Sequence, residues 1–395
     1  MNSRMLAVLA LSTALLSSGA RAENASGVTD TEIKIGQTMP YSGPLSAWGT
    51  VGKTETLYFK MINDQGGING RKILLVSVDD AYSPPKSVEQ VRRLVEQERV
   101  AFIFNGVGVA SNFAVRKYLN ENKVPQLFAF APSEAFNDPK HFPWSIPYLP
   151  SLYMSGRMAA RYFLKHAPNG KIAIIYQNDE SGREHLRGLK EGLGDRAGMI
   201  VKAVSYELSD PTVDTQIVAL QASGADTFYN AAALKFASQS IRKSAEIGWK
   251  PLQFLSYTSS SVAAVLKPAG LDKSTGIISA AVAKDFMDPQ WQDDPATKDY
   301  RAWVAKYDPK ADPADGFVAA GYSSPMILVQ VLKQCGNDLS RENIIRQAAN
   351  LHHLVLPWML PGIEFDNSPV DYQGIKTMRF LRFNGERWVL LNETN

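Results

Sequence analysis

Short apolar runs alternate with amphipathic stretches along most of this chain. The first run, Ile33-Lys34-Ile35-Gly36, precedes a stretch with helical periodicity and a turn that begins at Asn63. Later runs are almost continuously apolar, which is typical of parallel strands covered on both faces. The pattern predicts strands over 33–36, 73–78, 100–104 and 126–130, and helices over 54–62, 85–96 and 111–122.

The same alternation restarts after Pro147-Tyr148-Leu149-Pro150. Two successive runs of strand–helix units indicate an α/β chain with two doubly wound parallel-sheet lobes. The second run predicts helices over 152–165, 182–192, 212–222 and 235–247, and strands over 172–176, 200–204, 227–229 and 254–257.

The last third of the chain has a different order of elements. A strand over 277–283 precedes a mainly helical stretch over 295–350. Two late strands, 377–383 and 387–391, are joined through Asn384-Gly385, which favours a hairpin. We therefore expect this tail to complete both lobes.

The N-terminus has the pattern of a secretory signal peptide. Arg4 precedes an apolar stretch, and Ala20-Arg21-Ala22 provides an A-x-A cleavage site. The stretch is shorter than the roughly 20 apolar residues that span a bilayer. We expect residues 1–22 to be removed after about Ala22 and the mature protein to be exported to the periplasm; the alternative is a buried first helix.

Charge and cysteine content exclude several classes of protein. The full chain has a net charge of +3, and loss of Arg4 and Arg21 leaves 40 basic against 39 acidic residues. This balance gives no field that would hold nucleic acid or an anionic membrane. Cys335 is the only cysteine, so the chain has no internal disulfide or cysteine-based metal cluster.

Motifs for catalysis or cofactors are incomplete. Gly52-Lys53-Thr54 resembles the end of a phosphate-binding loop, but Ala47 stands where that loop needs its first glycine. Gly106-x-Gly108 resembles a dinucleotide fingerprint, yet Ser111 occupies the third glycine position. The five histidines lack metal-ligand spacing, and no nucleophile elbow is present. We expect no cofactor, no metal and no enzymatic activity.

Four segments, in this order, resemble one family. They are Tyr41-Ser42-Gly43-Pro44, Ile62-Asn63-Asp64-Gln65-Gly66-Gly67-Ile68-Asn69-Gly70, Asp79-Asp80, and Tyr118-Leu119-Asn120-Glu121-Asn122-Lys123-Val124-Pro125. Their order and spacing are similar to those of the periplasmic leucine/isoleucine/valine-binding proteins, the type I substrate-binding proteins of ABC importers.

This resemblance implies how the chain is divided and how it works. A three-crossing hinge joins two lobes that close over a ligand, and the closed form docks on a membrane permease. We expect an N-terminal lobe of 23–148 plus 283–365, a C-terminal lobe of 149–282 plus 366–395, and a monomer. Tyr148 then belongs to the first hinge crossing.

The resemblance also assigns candidate ligand-binding positions. The positions expected to bind a carboxylate lie at the start of the third helix and are Val109, Ser111 and Asn112. Ser111 is equally well explained as an ordinary helix cap. Trp48 aligns with an aromatic residue that covers the ligand, although it can also be a simple cleft wall. The other aligned positions are Phe130, Ala131 and Ser133 in the first lobe and Ser181, Ala233 and Thr258 in the second; Phe136 adds apolar surface.

Three of these positions depart from the amino-acid-binding pattern. Thr258 replaces the acid that pairs with a ligand ammonium, and Ser181 and Ala233 replace tyrosines. A desolvated ammonium without a partner costs several kcal/mol. We therefore expect a hydrophobic, aromatic carboxylate, as the similarity of 142–145 and 361–372 to a subgroup for such ligands also implies.

Two alternatives stay open. A shifted alignment would bring Asp226 or Glu246 into the site and favour a branched-chain or other hydrophobic amino acid. The same fold also serves ligand-sensing subunits that present their closed form to a membrane receptor.

Overall fold

The computed structural model describes residues 25–43 and 45–392. The predicted signal peptide, residues 1–22, lies outside these ranges. Within them, no helix is long and apolar enough to cross a membrane.

The first lobe is built on a five-stranded parallel sheet with the strand order β2-β1-β3-β4-β5. β1 lies between β2 and β3, so the connections to either side run in opposite directions from it. The strands are β1 (Glu32–Met39), β2 (Lys72–Asp79), β3 (Ile103–Phe104), β4 (Gln126–Ala129) and β5 (Ser145–Pro147). The helices between them are α1 (Gly49–Asp64), α2 (Pro84–Arg92, continued by a π-helical turn over Arg93–Gln97) and α3 (Val109–Glu121).

The second lobe contains a seven-stranded sheet with the order β12-β11-β10-β9-β8-β6-β7. Its strands β6 to β10 are parallel, and β11 and β12 add an antiparallel edge. The strands are β6 (Ile172–Gln177), β7 (Ile200–Tyr206), β8 (Thr227–Ala231), β9 (Leu252–Leu255), β10 (Ile278–Ala281), β11 (Arg379–Phe383) and β12 (Trp388–Leu390). The helices are α4 (Leu152–His166), α5 (Glu180–Leu193), α6 (Asp214–Ala222), α7 (Leu234–Glu246) and the short α8 (Lys267–Ala269) and α9 (Leu271–Ser274).

The helical part of the tail returns to the first lobe. Its helices are α10 (Pro295–Tyr307), α11 (Gly316–Ser323), α12 (Pro325–Cys335) and α13 (Arg341–Ala348). α11 lies so close to α1 that a Cβ on Gly321 would stand 2.5 Å from the Val51 carbonyl oxygen. Asp371 and Tyr372 also form hydrogen bonds with Asn137 of the first lobe. Asn137 Nδ2 donates to Asp371 Oδ1 at 2.9 Å, and the Tyr372 backbone N–H donates to Asn137 Oδ1 at 2.7 Å. The exact residues at which the chain crosses between lobes stay a prediction.

Aromatic and aliphatic side chains fill both lobes. Phe59 and Phe104 pack edge to face in the first lobe, and Phe163 and Phe254 do so in the second. α4 and α5 pack closely because Gly188 has no Cβ, which would lie 2.0 Å from the Tyr153 carbonyl oxygen. Burial of this kind, roughly 25 cal/mol per Å² of apolar surface, is the main stabilising contribution to each lobe.

The predicted fold class is confirmed, with local differences in the elements. The third strand is shorter than the predicted 100–104, because the Val100 N–H bonds the Leu94 carbonyl and closes the preceding helix. α1 begins at Gly49, before the predicted start at 54. The expected hairpin through Asn384-Gly385 is present as β11 and β12.

Candidate functional site

The cleft between the lobes lies at the point in each sheet where the order of the strands reverses. The loops after β1 and β3 leave the carboxyl ends of neighbouring first-lobe strands, and the loops after β6 and β8 do so in the second lobe. In doubly wound folds such a position opens a crevice, because the adjacent connections diverge to opposite faces of the sheet. The fold thus brings loops from two such crevices face to face.

Two adjoining cavities occupy this cleft. The larger has a volume of about 260 Å³ and the smaller about 80 Å³. We call the larger one the aromatic chamber and the smaller one the helix-end cavity. Trp48, Phe130 and Thr258 line both, so they form the boundary between them.

The helix-end cavity is lined by the first residues of three helices, α3, α5 and α7. Val109 begins α3, Ser181 and Gly182 lie in the first turn of α5, and Leu234 begins α7. The first N–H groups of a helix have no partner within the helix and carry its positive end. None of the described residues that line this cavity is acidic. The cavity is therefore suited to an anionic group.

The three helix starts differ in whether their first N–H groups already have hydrogen-bond partners. Asp179 caps α5 by accepting from the Gly182 N–H at 3.0 Å. At α7 the Leu234 N–H donates to Ser259 Oγ at 3.3 Å. α3 starts after Gly108, which offers no side-chain cap. The start of α3 is therefore the end with most capacity for a ligand oxygen.

Gly108 is required where α3 begins. Its φ is 114°, a conformation that residues with a side chain rarely adopt. A Cβ here would also lie 2.7 Å from the Tyr82 ring, which lines the same cavity. This glycine thus lets the backbone approach Tyr82 and keeps the helix end open.

His185 on α5 is a lining residue that the sequence did not predict. Its Nδ1 is 2.6 Å from the Tyr229 hydroxyl, which in turn is 3.0 Å from Ser155 Oγ. Ser256 Oγ lies 3.5 Å from His185 Nε2 and 3.0 Å from Thr258 Oγ1. Burial lowers the pKa of His185 to about 3, so the ring is neutral and adds no charge. Its position one helical turn after Ser181 and Gly182 could have indicated it.

Nine aromatic side chains of the described residues line the aromatic chamber. Trp48 lies 5.2 Å from Phe130 and 4.6 Å from Phe317, measured between ring centroids. Such tilted and edge contacts hold flat surfaces at fixed angles. The chamber's aromatic residues are Trp48, Phe130, Tyr148, Tyr257, Phe286, Trp291, Phe317, Trp358 and Trp388.

Three acidic residues also line the chamber, and each is engaged. Asp285 accepts from the Met287 N–H and Asp315 from the Phe317 N–H, both at 2.9 Å. Burial raises the pKa of both carboxyl groups. The Asp288 carboxylate is 3.4 Å from Arg387 Nε. These acids come from the tail of the chain, in which the sequence analysis placed no candidate ligand-binding residue.

The structure brings seven of the twelve sequence-predicted site residues to the cavities. Besides the three at the boundary, Tyr148 lines the aromatic chamber, and Val109, Ser181 and Ala233 line the helix-end cavity.

The other five, Ser111, Asn112, Ala131, Ser133 and Phe136, line neither cavity. Asn112 Nδ2 instead donates to the carbonyls of Gly106 and Gly108 and holds the turn before α3. Phe136 packs on Phe113 and under the Arg116 guanidinium. Ala131 is fully buried, and the Ser111 hydroxyl is buried without a partner among the described residues.

Ser133 contributes to a contact between the lobes. Its hydroxyl donates to the Glu184 carboxylate at 2.5 Å, and the Glu134 N–H donates to the same carboxylate at 3.1 Å. Arg187 reaches Glu134 at 2.8 Å. Glu184 and Arg187 lie on α5 of the second lobe, whereas residues 133 and 134 follow β4 of the first. The loop therefore joins the lobes directly.

The two acids that a shifted alignment would have moved into the site lie elsewhere. Asp226 precedes β8 and accepts from the Lys171 N–H at 2.8 Å. Glu246 ends α7 and is 4.0 Å from Arg242. Neither lines either cavity.

Comparison with known proteins agrees with this architecture. A family described as periplasmic binding protein matches residues 32–387. Leu/Ile/Val-binding protein homolog 7 of Brucella abortus is 25% identical over 256 residues, which are 62% of this chain and 61% of that protein. The match thus spans less than two thirds of that relative's length. Homolog 1 of Brucella suis is 21% identical over 318 residues, covering 77% of this chain and 83% of its own.

Solved structures show the same fold at low sequence identity. A branched chain amino acid ABC transporter protein of Thermus thermophilus with bound valine has a TM-score of 0.83 and 15% identity, covering 93% of this chain and 97% of its own. A solute binding protein of R. palustris in complex with benzoate has a TM-score of 0.76 and 20% identity, covering 91% and 95%. With the family match over almost the whole described chain, these findings identify this protein as a member of the periplasmic binding protein family.

Proposed function

We propose that this protein is the solute-binding component of an ABC importer and captures a hydrophobic, aromatic carboxylate. The observation that carries the proposal is the uncapped start of α3 in a cavity whose described lining residues include no acid, next to an aromatic chamber with which it shares three lining residues. An anionic head and an apolar ring match these two surfaces.

The helix-end cavity supports binding of the carboxylate. Backbone N–H groups at a helix start donate to anions, and the positive end of the helix favours negative charge by about 0.3–1 kcal/mol or more when partly buried. Neutral His185 and Thr258 add polar groups without opposing that charge.

The same cavity disfavours a free amino acid. An α-ammonium lies next to its carboxylate and so must stay close to the start of α3. No described lining residue there is acidic, and Thr258 offers only a hydroxyl. Because a buried charge without a partner is costly, a ligand without the ammonium should bind more tightly.

The chamber supports binding of a ring. A cavity of about 150 Å³ lined by apolar side chains can hold benzene, and this chamber measures about 260 Å³. The benzoate found in the R. palustris relative agrees with an aromatic acid. The valine in the T. thermophilus relative supports a second candidate, a branched-chain amino acid.

Isothermal titration of the purified mature protein against a matched panel separates these candidates. The panel pairs benzoate and 3-phenylpropanoate with phenylalanine, leucine, isoleucine and valine, and phenylalanine differs from 3-phenylpropanoate only by its ammonium. We expect the plain acids to bind at least tenfold more tightly. Tighter binding of the amino acids would overturn the proposed ligand class.

The transport role has its own test. We propose export to the periplasm after cleavage near Ala22, a monomeric state, no catalytic turnover, and delivery of ligand to a membrane permease. Deletion of the gene should abolish uptake of the radiolabelled acid by cells, and re-expression should restore it. Unchanged uptake in the deletion strain would argue against this role.

A further inference from the structure

A cluster of histidine and carboxylate side chains lies on the first lobe, outside the cleft. Donor atoms of His353, Glu364 and Asp366 all lie within 4.8 Å of one another. His353 Nδ1 is 3.1 Å from both Glu364 carboxylate oxygens. We propose that His353, Glu364 and Asp366 bind a divalent transition-metal ion, with Zn²⁺ as the best match and water as the fourth ligand.

The spacing of the donors agrees with tetrahedral coordination. Zinc bonds of about 2.0–2.1 Å place neighbouring ligand atoms about 3.3 Å apart. The separation of 3.1 Å between His353 Nδ1 and the Glu364 carboxylate oxygens is close to that value. An imidazole donor favours Zn²⁺, Ni²⁺ or Cu²⁺ over Mg²⁺ and Ca²⁺, which prefer oxygen ligands alone.

The backbone holds the two halves of the cluster together. Leu354 and Phe365 exchange two hydrogen bonds, of 3.0 Å and 2.8 Å, in an antiparallel bridge, so residue 353 lies opposite residue 366 and residue 364 is diagonal to it. The loop between them carries Trp358 and Leu360 into the wall of the aromatic chamber. A metal ion here would close the base of that loop.

The test is titration of untagged, EDTA-treated mature protein with ZnCl₂, followed by calorimetry. We expect one saturable site that Mg²⁺ does not fill, and slower hydrogen exchange of the 354–364 backbone in the presence of Zn²⁺. His353→Asn removes the imidazole but tolerates the left-handed backbone at this position, where φ is 46°. This variant and Asp366→Asn should each weaken Zn²⁺ binding at least tenfold.

His141→Ala is the matched control. His141 pairs with Asp138 at 2.9 Å on the surface, but the described part of the chain offers no third metal-binding side chain beside this pair. Its substitution should leave Zn²⁺ affinity unchanged. Absence of saturable Zn²⁺ binding, or equal affinity in wild type and His353→Asn, would overturn the proposal.

Discussion

The hydrogen bonds that Glu184 accepts across the cleft predict that a residue outside both cavities controls ligand affinity. Glu184 is buried on α5 and receives the Ser133 hydroxyl at 2.5 Å and the Glu134 N–H at 3.1 Å, both from the first lobe. Opening of the lobes would separate these groups. Glu184→Gln keeps the size of the side chain but replaces one acceptor oxygen by an NH₂ group, which faces a donor.

The expected effect follows from the strength of such bonds. A hydrogen bond to a charged group contributes about 1.5–3 kcal/mol. Loss of one of them from the closed state alone shifts the open–closed equilibrium by that amount. When the free protein is mostly open, the apparent Kd rises about 10- to 150-fold. Burial raises the pKa of Glu184, because removal from water disfavours its charged form. This desolvation offsets part of what the hydrogen bonds contribute, so we expect an increase in Kd at the lower end of this range.

Calorimetry with the tightest acid of the panel gives Kd, and small-angle scattering with and without ligand gives the extent of closure. Glu191→Gln is the control, because Glu191 lies on the same helix and accepts a hydroxyl at 2.5 Å from Tyr153 within the second lobe. It should leave Kd unchanged. If Glu184→Gln lowers the melting temperature yet leaves Kd at the wild-type value, the contact persists in the open form and the reasoning is refuted.

Three further predictions follow from the cleft and the first-lobe core. Trp48→Ala should weaken binding by about 1–3 kcal/mol in calorimetry, whereas Trp48→Phe should retain most of the affinity; an unaffected Kd in the alanine variant would leave Trp48 as a cleft wall only. Thr258→Asp should weaken plain carboxylates at least tenfold relative to Thr258→Ser, and equal affinities would place the ligand's charge elsewhere. Glu55 is buried on α1, where its carboxyl group accepts from the Ser324 hydroxyl, and burial raises its pKa to about 8. Its contribution to the free energy of unfolding is therefore full below about pH 4.5 and is lost as the pH rises through 8. In chemical unfolding, the free energy of unfolding of the wild type should fall by about 1.4 kcal/mol per pH unit between pH 5 and 8 relative to that of Glu55→Gln. The same pH dependence in both proteins would contradict the raised pKa of Glu55.

The fold could be predicted because parallel strands buried on both faces leave a clear apolar pattern. β6 and β8 are almost completely buried, and both were predicted within two residues of their observed ends. Ends were less well predicted where a turn competes with a strand, as at Val100. Period and length determine an element, whereas its last residue depends on individual hydrogen bonds.

The helix-end cavity was partly predictable for a related reason. Helices that follow parallel strands begin at one edge of a sheet, so Val109, Ser181 and Ala233 had to lie near the cleft. Side-chain direction was not predictable, and Asn112 and Phe136 turn into the first lobe instead. His353 and Glu364 were also beyond sequence reasoning, since only the backbone pairing at 354 and 365 brings them together.

The aromatic chamber shows why ligand preference is harder to predict than ligand charge. Its wall combines Trp48 and Tyr148 with tail residues such as Phe317 and Trp358, which come together only when the tail returns to the first lobe. The helix-end cavity, by contrast, depends on local starts of helices. Substitutions in the tail can therefore change which aromatic rings fit the chamber without affecting the preference of the helix-end cavity for a carboxylate. If so, substitutions of Phe317 should alter the order of preference among aromatic acids, while Thr258→Asp should weaken all of them alike.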